Sequence, residues 1–237
     1  MKKIFTILFA AAALTGCNDA APVYWEEIEI DRQGGGLTAE FNYPFRFGGI
    51  DSVTTLINAT IEERLKEGVM YEYPDLTLDS ALNLLIESKE ADTVLVRIPY
   101  ELMSDGAVYR TKGVESVMLD KYSYTGGANG MAERIYLNFD PATGRLLSDD
   151  ELFSSADKLR RMIADRFSES VDEDYALFEG LSIDSLPLPR QIGFDSIGVV
   201  AYYNLYEIAP RSSGAVEIHI PYDETDGIVL RDVSEVR

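Results

Sequence analysis

A single cysteine, Cys17, closes an apolar run at the start of this 237-residue chain, and it limits what can hold the fold together. Lys2 and Lys3 give a positive start, Ile4 to Leu14 is apolar, and Leu14-Thr15-Gly16-Cys17 matches the pattern at which exported precursors are lipidated and cleaved. The run falls short of the ~20 residues that cross a bilayer, so residues 1–16 read as a lipoprotein signal peptide and not as a transmembrane helix. Cys17 is then the lipid-bearing first residue of the mature chain, and residues 17–23 are a tether. Everything beyond Cys17 lacks thiols. Disulfide frameworks, cysteine zinc sites and cysteine nucleophiles are excluded there, and the fold has to rest on its hydrophobic core.

That core can be sizeable. After cleavage 221 residues remain (237 less 16), and 46% hydrophobic with 11% aromatic residues argues against disorder. Net charge is −20 for the whole chain and −22 once Lys2 and Lys3 are removed with the signal. Such a field makes nucleic acid a poor partner and attracts cationic ones. Acidity also keeps an exported protein soluble, which is the plain alternative.

Along the chain, Trp25 to Ile30 and Leu37 to Phe47 alternate as strands around a Gly34-Gly35-Gly36 turn. Val53, Leu56, Ile57, Ile61 and Leu65 predict a helix from Asp51 or Ser52, ending near Gly68. A second helix is predicted from Asp79, followed by a strand over Val94 to Tyr100, then strands over Val114 to Tyr124 and Glu133 to Phe139. Ser148 and Glu151 form a capping-box signature, and Leu159, Met162, Ile163 and Phe167 mark a helix from Asp157. Closing strands are expected over Ile197 to Leu205 and Ala215 to Ile220. Clustered strands and helices predict an α+β fold: mostly antiparallel sheets with helices packed on one face, in two small domains packed together.

Three segments carry a family resemblance. Tyr124-Thr125-Gly126-Gly127-Ala128-Asn129-Gly130 is similar to a Y-T-G-G-A-H-G hairpin, and Asn138-Phe139-Asp140-Pro141-Ala142-Thr143-Gly144-Arg145-Leu146-Leu147 to an N-F-D-x-x-T-G-K-x-L turn. Tyr206-Glu207-Ile208-Ala209-Pro210, running to Ile220-Pro221-Tyr222, is similar to a Y-E-I-A-P…G…I-P-Y ending. In this order they resemble a domain of unknown function 3298 (RsiV-like), here residues 131–237, preceded by a domain of unknown function 4163 (deacetylase PdaC-type), residues 24–130. The N-terminal likeness has only Asn42-Tyr43-Pro44 and Ile57-Asn58 as local echoes. The resemblance implies an envelope protein of the sensor or accessory kind, recognising a cationic protein of the lysozyme type or peptidoglycan. Asn129 replaces the usual hairpin histidine, so a role needing imidazole there does not carry over.

The lipid of Cys17 implies a membrane-anchored protein of the cell envelope, at the outer membrane where there are two, with its folded part outside the cytoplasm. Candidate binding residues are Tyr122, Tyr206 and Glu207, with the acids Asp149, Asp150 and Glu151; the last three also read as the negatively charged first turn of a helix. Asp172-Glu173-Asp174 reads as a solvated helix end, lacking calcium-loop spacing. His219, the single histidine, is expected on the solvent face of its strand. One histidine and no usable thiol leave no transition-metal site, and neither a cofactor nor catalytic residues are expected. Paired carboxylates acting on cell-wall glycan remain the enzymatic alternative, and a purely structural envelope lipoprotein the third reading.

Overall fold

The structure is a computed structural model describing residues 21–70, 72–172, 175–225 and 227–236. The expectations placed on the signal segment, Cys17, Glu173 and Asp174 lie outside these residues.

Strands β1 (Ala21–Gly34) and β2 (Leu37–Gly49) form a long antiparallel hairpin. Its two-residue turn is Gly35-Gly36, with φ of +56° and +74°, the doubly left-handed geometry that glycine supplies without strain. The chain then crosses through helices α1 (Asp51–Lys66) and α2 (Leu78–Ala91) and returns as β3 (Tyr100–Arg110), parallel to β2. Strands β4 (Glu115–Tyr124) and β5 (Met131–Phe139) complete a five-stranded sheet in sequence order. Ile57, Ile61 and Leu65 of α1 and Leu78 and Leu82 of α2 pack on Phe41, Tyr43, Leu102, Val117 and Leu137. Each such side chain contributes roughly 1.5–3 kcal/mol through burial.

A second lobe holds α3 (Asp149–Leu152), α4 (Ala156–Phe167) and a small antiparallel sheet of β6 (Gln191–Phe194), β7 (Gly198–Tyr203) and β8 (Val216–Pro221). Leu159, Ile163 and Phe167 of α4 share its core with Phe194, Val199, Tyr203 and Ile218.

The α+β class and the two mostly antiparallel sheets are as expected. Two local expectations are corrected. Val94 to Tyr100 is not a strand: Leu95–Arg97 is a 3-10 turn, and only Tyr100 enters β3. Its apolar alternation is overridden by capture of the backbone, since the Lys89 ammonium donates to the carbonyls of Leu95 (2.7 Å) and Ile98 (2.9 Å), and the Asp92 carboxylate accepts from the N–H groups of Val94 and Leu95. Strands β3 and β6 are present where no strand was expected over most of their length. Strand β5 completes the first sheet, with Ile135, Leu137 and Phe139 in its core, and the two sheets part after Phe139.

Among the described residues, the lobes join without a shared strand ladder. On the outer edge of β5, the side chain of Asn204 accepts from the Arg134 N–H (2.7 Å) and donates to the Arg134 carbonyl (2.8 Å). Gln191 accepts from the Tyr136 N–H, and Asn138 donates to the Ile192 carbonyl. Side-chain amides thus satisfy an edge that another strand would otherwise cover.

Candidate functional site

Along a strand, successive side chains point to opposite faces, so packing Ala39, Phe41 and Tyr43 on the helices turns Glu40 and Asn42 the other way. On that second face the second lobe stands over β4, β5 and the Tyr109 end of β3, and leaves Glu29, Asp31 and Glu40 of β1 and β2 exposed. Between them lies a cleft of about 720 Å³. Clefts between lobes are the usual place for a binding site.

The cleft floor consists of two rows that follow from strand register. The first runs Asp31, Glu40, Met103, Tyr122 and Ala132, each directly beside the next. The second starts with Glu29 opposite Asn42, whose amide donates to Asp105 at 3.2 Å, and continues with Asp105 opposite Asp120 and Asp120 opposite Arg134. Tyr202, Asn204, Leu205 and Ala215 of the second lobe form the wall. The site is therefore acidic toward β1 and mixed toward the wall, where Tyr122, Tyr202 and Leu205 stand beside Asp120 and the Lys121–Glu133 ion pair; Met103, midway across the floor, remains 41% exposed.

Two pairs of like charges face each other directly across strands, Asp31 with Glu40 and Asp105 with Asp120. Such pairs destabilise a sheet. Asp120 is compensated by Arg134, which meets it through two hydrogen bonds of 2.7 and 2.8 Å, pairs also with Glu217, and stacks over Tyr202 at 4.7 Å. The Asp120 contact holds the Arg134 guanidinium charged, raising its pKa further. Among the described residues, Glu29, Asp31, Glu40 and Asp105 have no basic partner within ion-pair distance. No three His, Cys, Asp or Glu side chains among the described residues converge as metal ligands.

Of the residues singled out in the sequence, Tyr122 lies in the cleft. Its ring also packs against Gly130, where a β-carbon would come within 2.3 Å of the phenol oxygen. Gly126 and Gly127 take φ of +85° and +122°, whereas Gly130 does not need positive φ. The Tyr124 hydroxyl donates to the Gly127 carbonyl at 3.0 Å, and Thr125, Ala128 and Asn129 are exposed. Tyr206 sits outside the cleft in a left-handed backbone conformation (φ +65°). Glu207 accepts from the N–H groups of Asn204 (2.9 Å) and Arg190 (2.7 Å) and so fixes the turn that carries Asn204 to the wall.

Asp149, Asp150 and Glu151 form the first turn of α3, away from the cleft, with the predicted capping box on Ser148. Arg145 binds the Glu151 carboxylate and holds its pKa down at about 2. Burial, followed by the neighbouring Asp150, raises that of Asp149. His219 is less open than expected, lying between Asp195 (3.2 Å) and Glu217 (2.7 Å).

Glu29, Asp31, Glu40, Met103, Asp105 and Asp120 were missed. The acids of β1 that alternate with Ile28 and Ile30 were a readable signal. Met103 and Asp105 were not, because their strand was not recognised.

Comparison with known proteins defines the class. Residues 1–18 match the prokaryotic membrane lipoprotein lipid attachment site, and residues 148–223 match the family described as protein of unknown function (DUF3298). The chain is a lipoprotein with a DUF3298 domain in its C-terminal part. The likeness noted over residues 124–147 lies N-terminal to the matched segment.

Two solved structures share the fold over nearly the whole chain. A DUF3298 family member from Bacteroides fragilis superimposes with a TM-score of 0.63 at 16% identity, covering 88% of this chain and 94% of its own. A DUF3298 family protein from Pseudomonas aeruginosa does so with 0.58 at 18% identity, covering 92% and 99%. No curated protein matches. No helix among the described residues is long and apolar enough to cross a membrane.

Proposed function

We propose that this lipoprotein is an envelope recognition protein whose inter-lobe cleft takes a cationic segment of another protein. The observation that carries the reading is the pair of like-charged cross-strand contacts, Asp31 with Glu40 and Asp105 with Asp120, on one open floor. Arg134 already offsets Asp120, which leaves Asp31, Glu40 and Asp105 to gain from a cation brought by a partner. Met103 and Tyr122 of the floor, with Tyr202 and Leu205 of the wall, would cover the aliphatic part of the same segment.

A strongly basic lysozyme is the first partner to test, in line with the RsiV-like resemblance of the second lobe. The PdaC-type reading of residues 24–130, resting on Asn42-Tyr43-Pro44 and Ile57-Asn58, belongs to the same proposal, as does outer-membrane delivery, which Asn18 after the cysteine favours. Peptidoglycan binding and glycan cleavage by paired carboxylates are the competing readings.

Titration with lysozyme at low and high ionic strength, beside a peptidoglycan turnover assay, separates them. Binding that weakens with salt and is reduced in Glu40→Gln and Asp105→Asn variants supports the cleft. Turnover abolished by loss of one carboxylate and insensitive to salt would replace this reading with the enzymatic one.

A further inference from the structure

The end of the β1–β2 hairpin that faces the lipid anchor is apolar. Cys17 and Ala21, the first residue of β1, are four residues apart, so an extended backbone separates them by at most ~14 Å. Ala21 pairs with Gly49, and around this point Tyr24 is 48% and Ile50 58% exposed. Tyr24 stacks on Phe47 at 5.3 Å, Phe47 meets Phe45 at 5.2 Å, and these phenylalanines with Thr55 and Ala59 of α1 line a groove of about 580 Å³. Tyrosine at such a boundary suits an interface with one apolar and one hydrated side.

We infer that Tyr24, Phe47 and Ile50 form a membrane-docking patch that enters the headgroup region of the bilayer holding the Cys17 lipid. The short tether forces this end of the hairpin to the bilayer and supplies a high local concentration, so a weak apolar contact suffices. Glu26 beside Tyr24 and Asp51 beside Ile50 point to zwitterionic lipid, since both carboxylates oppose an anionic surface. Docking would fix the orientation of the protein. The opposite end of the hairpin, where Gly36 meets Val96, stands 14 residues of strand away, about 43 Å at the usual rise.

The full-length lipidated protein in phosphatidylcholine vesicles, with bromine on the acyl chains near the headgroups, tests this through tryptophan quenching. Trp25 is the single tryptophan and donates to Glu115 across 3.5 Å, so Trp25→Phe gives a silent background at the loss of one weak contact. In that background Tyr24→Trp reports from the patch, and Val94→Trp, at a position 65% exposed near the far end, reports from the control site. The expected result is quenching several-fold greater at 24 than at 94. It should fall several-fold when Ile50→Asp is added, while the Cys17 lipid keeps the protein on the vesicle. Equal quenching at both sites overturns the patch. Quenching at 24 that ignores Ile50→Asp overturns it as well, leaving proximity through the tether alone.

Discussion

Asn204 holds both backbone groups of Arg134, accepting from its N–H at 2.7 Å and donating to its carbonyl at 2.8 Å, and so acts as one residue of a missing strand. The same device appears within the first lobe, where Asn58 of α1 brackets the N–H and carbonyl of Arg46 at 2.8 Å each. Both asparagines lie where a sheet stops and its edge meets another element. Arg134 also compensates Asp120 of the cleft floor through two hydrogen bonds, so the joint between the lobes and part of the electrostatics of the site share one residue.

Replacing Asn204 with alanine orphans two backbone groups at the joint. The expected cost is about 1–3 kcal/mol of unfolding free energy, read from the shift of the denaturation midpoint. Asn204→Asp is the discriminating variant: it keeps an acceptor for the Arg134 N–H but loses the donor, so it should fall between wild type and alanine. A silent alanine variant would show the joint to be held elsewhere.

Glu40→Gln should move stability and binding in opposite directions. Neutralising one member of the Asp31/Glu40 pair removes a repulsion worth about 0.2–1 kcal/mol, so the free protein should become slightly more stable. Its affinity for a basic protein should drop. A variant that loses stability instead would mean that Glu40 has a structural role.

The three hairpin glycines should not respond alike to valine. Gly126→Val meets both a left-handed φ and the Ile98 side chain, whose Cγ2 would lie 2.5 Å from the new β-carbon, and Gly130→Val collides with the Tyr122 ring. Gly127→Val carries only the backbone strain, because nothing lies within 4 Å. Each variant should cost on the order of 1–3 kcal/mol, with Gly127 the mildest. Only Gly130→Val should also disturb ligand binding, through Tyr122.

Glu151 makes a pH-dependent contribution. Its folded pKa is held at about 2 by Arg145, below the ordinary glutamate value, so its stabilising effect is present above pH ~4.5 and fades as pH falls toward 2. Carboxyl titration followed by NMR should show this low midpoint. Arg145→Ala should return it to the ordinary range, and an unchanged midpoint would assign the effect to the Ser148 capping contacts instead.

Cys17→Ala should move the protein from the membrane fraction to the soluble fraction. Retention of this variant after a high-salt wash would identify an anchor other than the lipid, and would draw attention to the apolar hairpin end.

Short-range information was readable from the chain itself. The export signal, the absence of thiols beyond Cys17, the helical stripe Val53-Ile57-Ile61-Leu65 and the Gly35-Gly36 turn depend on residues a few positions apart, and each appears in the sequence as spacing or as residue type. The α+β class follows from how those elements cluster. The cleft is different in kind. Its first row joins Asp31, Glu40, Met103 and Tyr122 through the parallel return of β3 beside β2 and the pairing of β3 with β4, and sliding any strand by one residue would turn its members to the opposite face. That register is set by packing Leu102 and Val117 against α1 and α2, not by the acids themselves. Capture of residues 92–98 by Lys89 and Asp92 likewise lies outside any local alternation. The kinds of element were decided locally, by periodicity and turn chemistry; which charges stand side by side was decided by the burial of the other face.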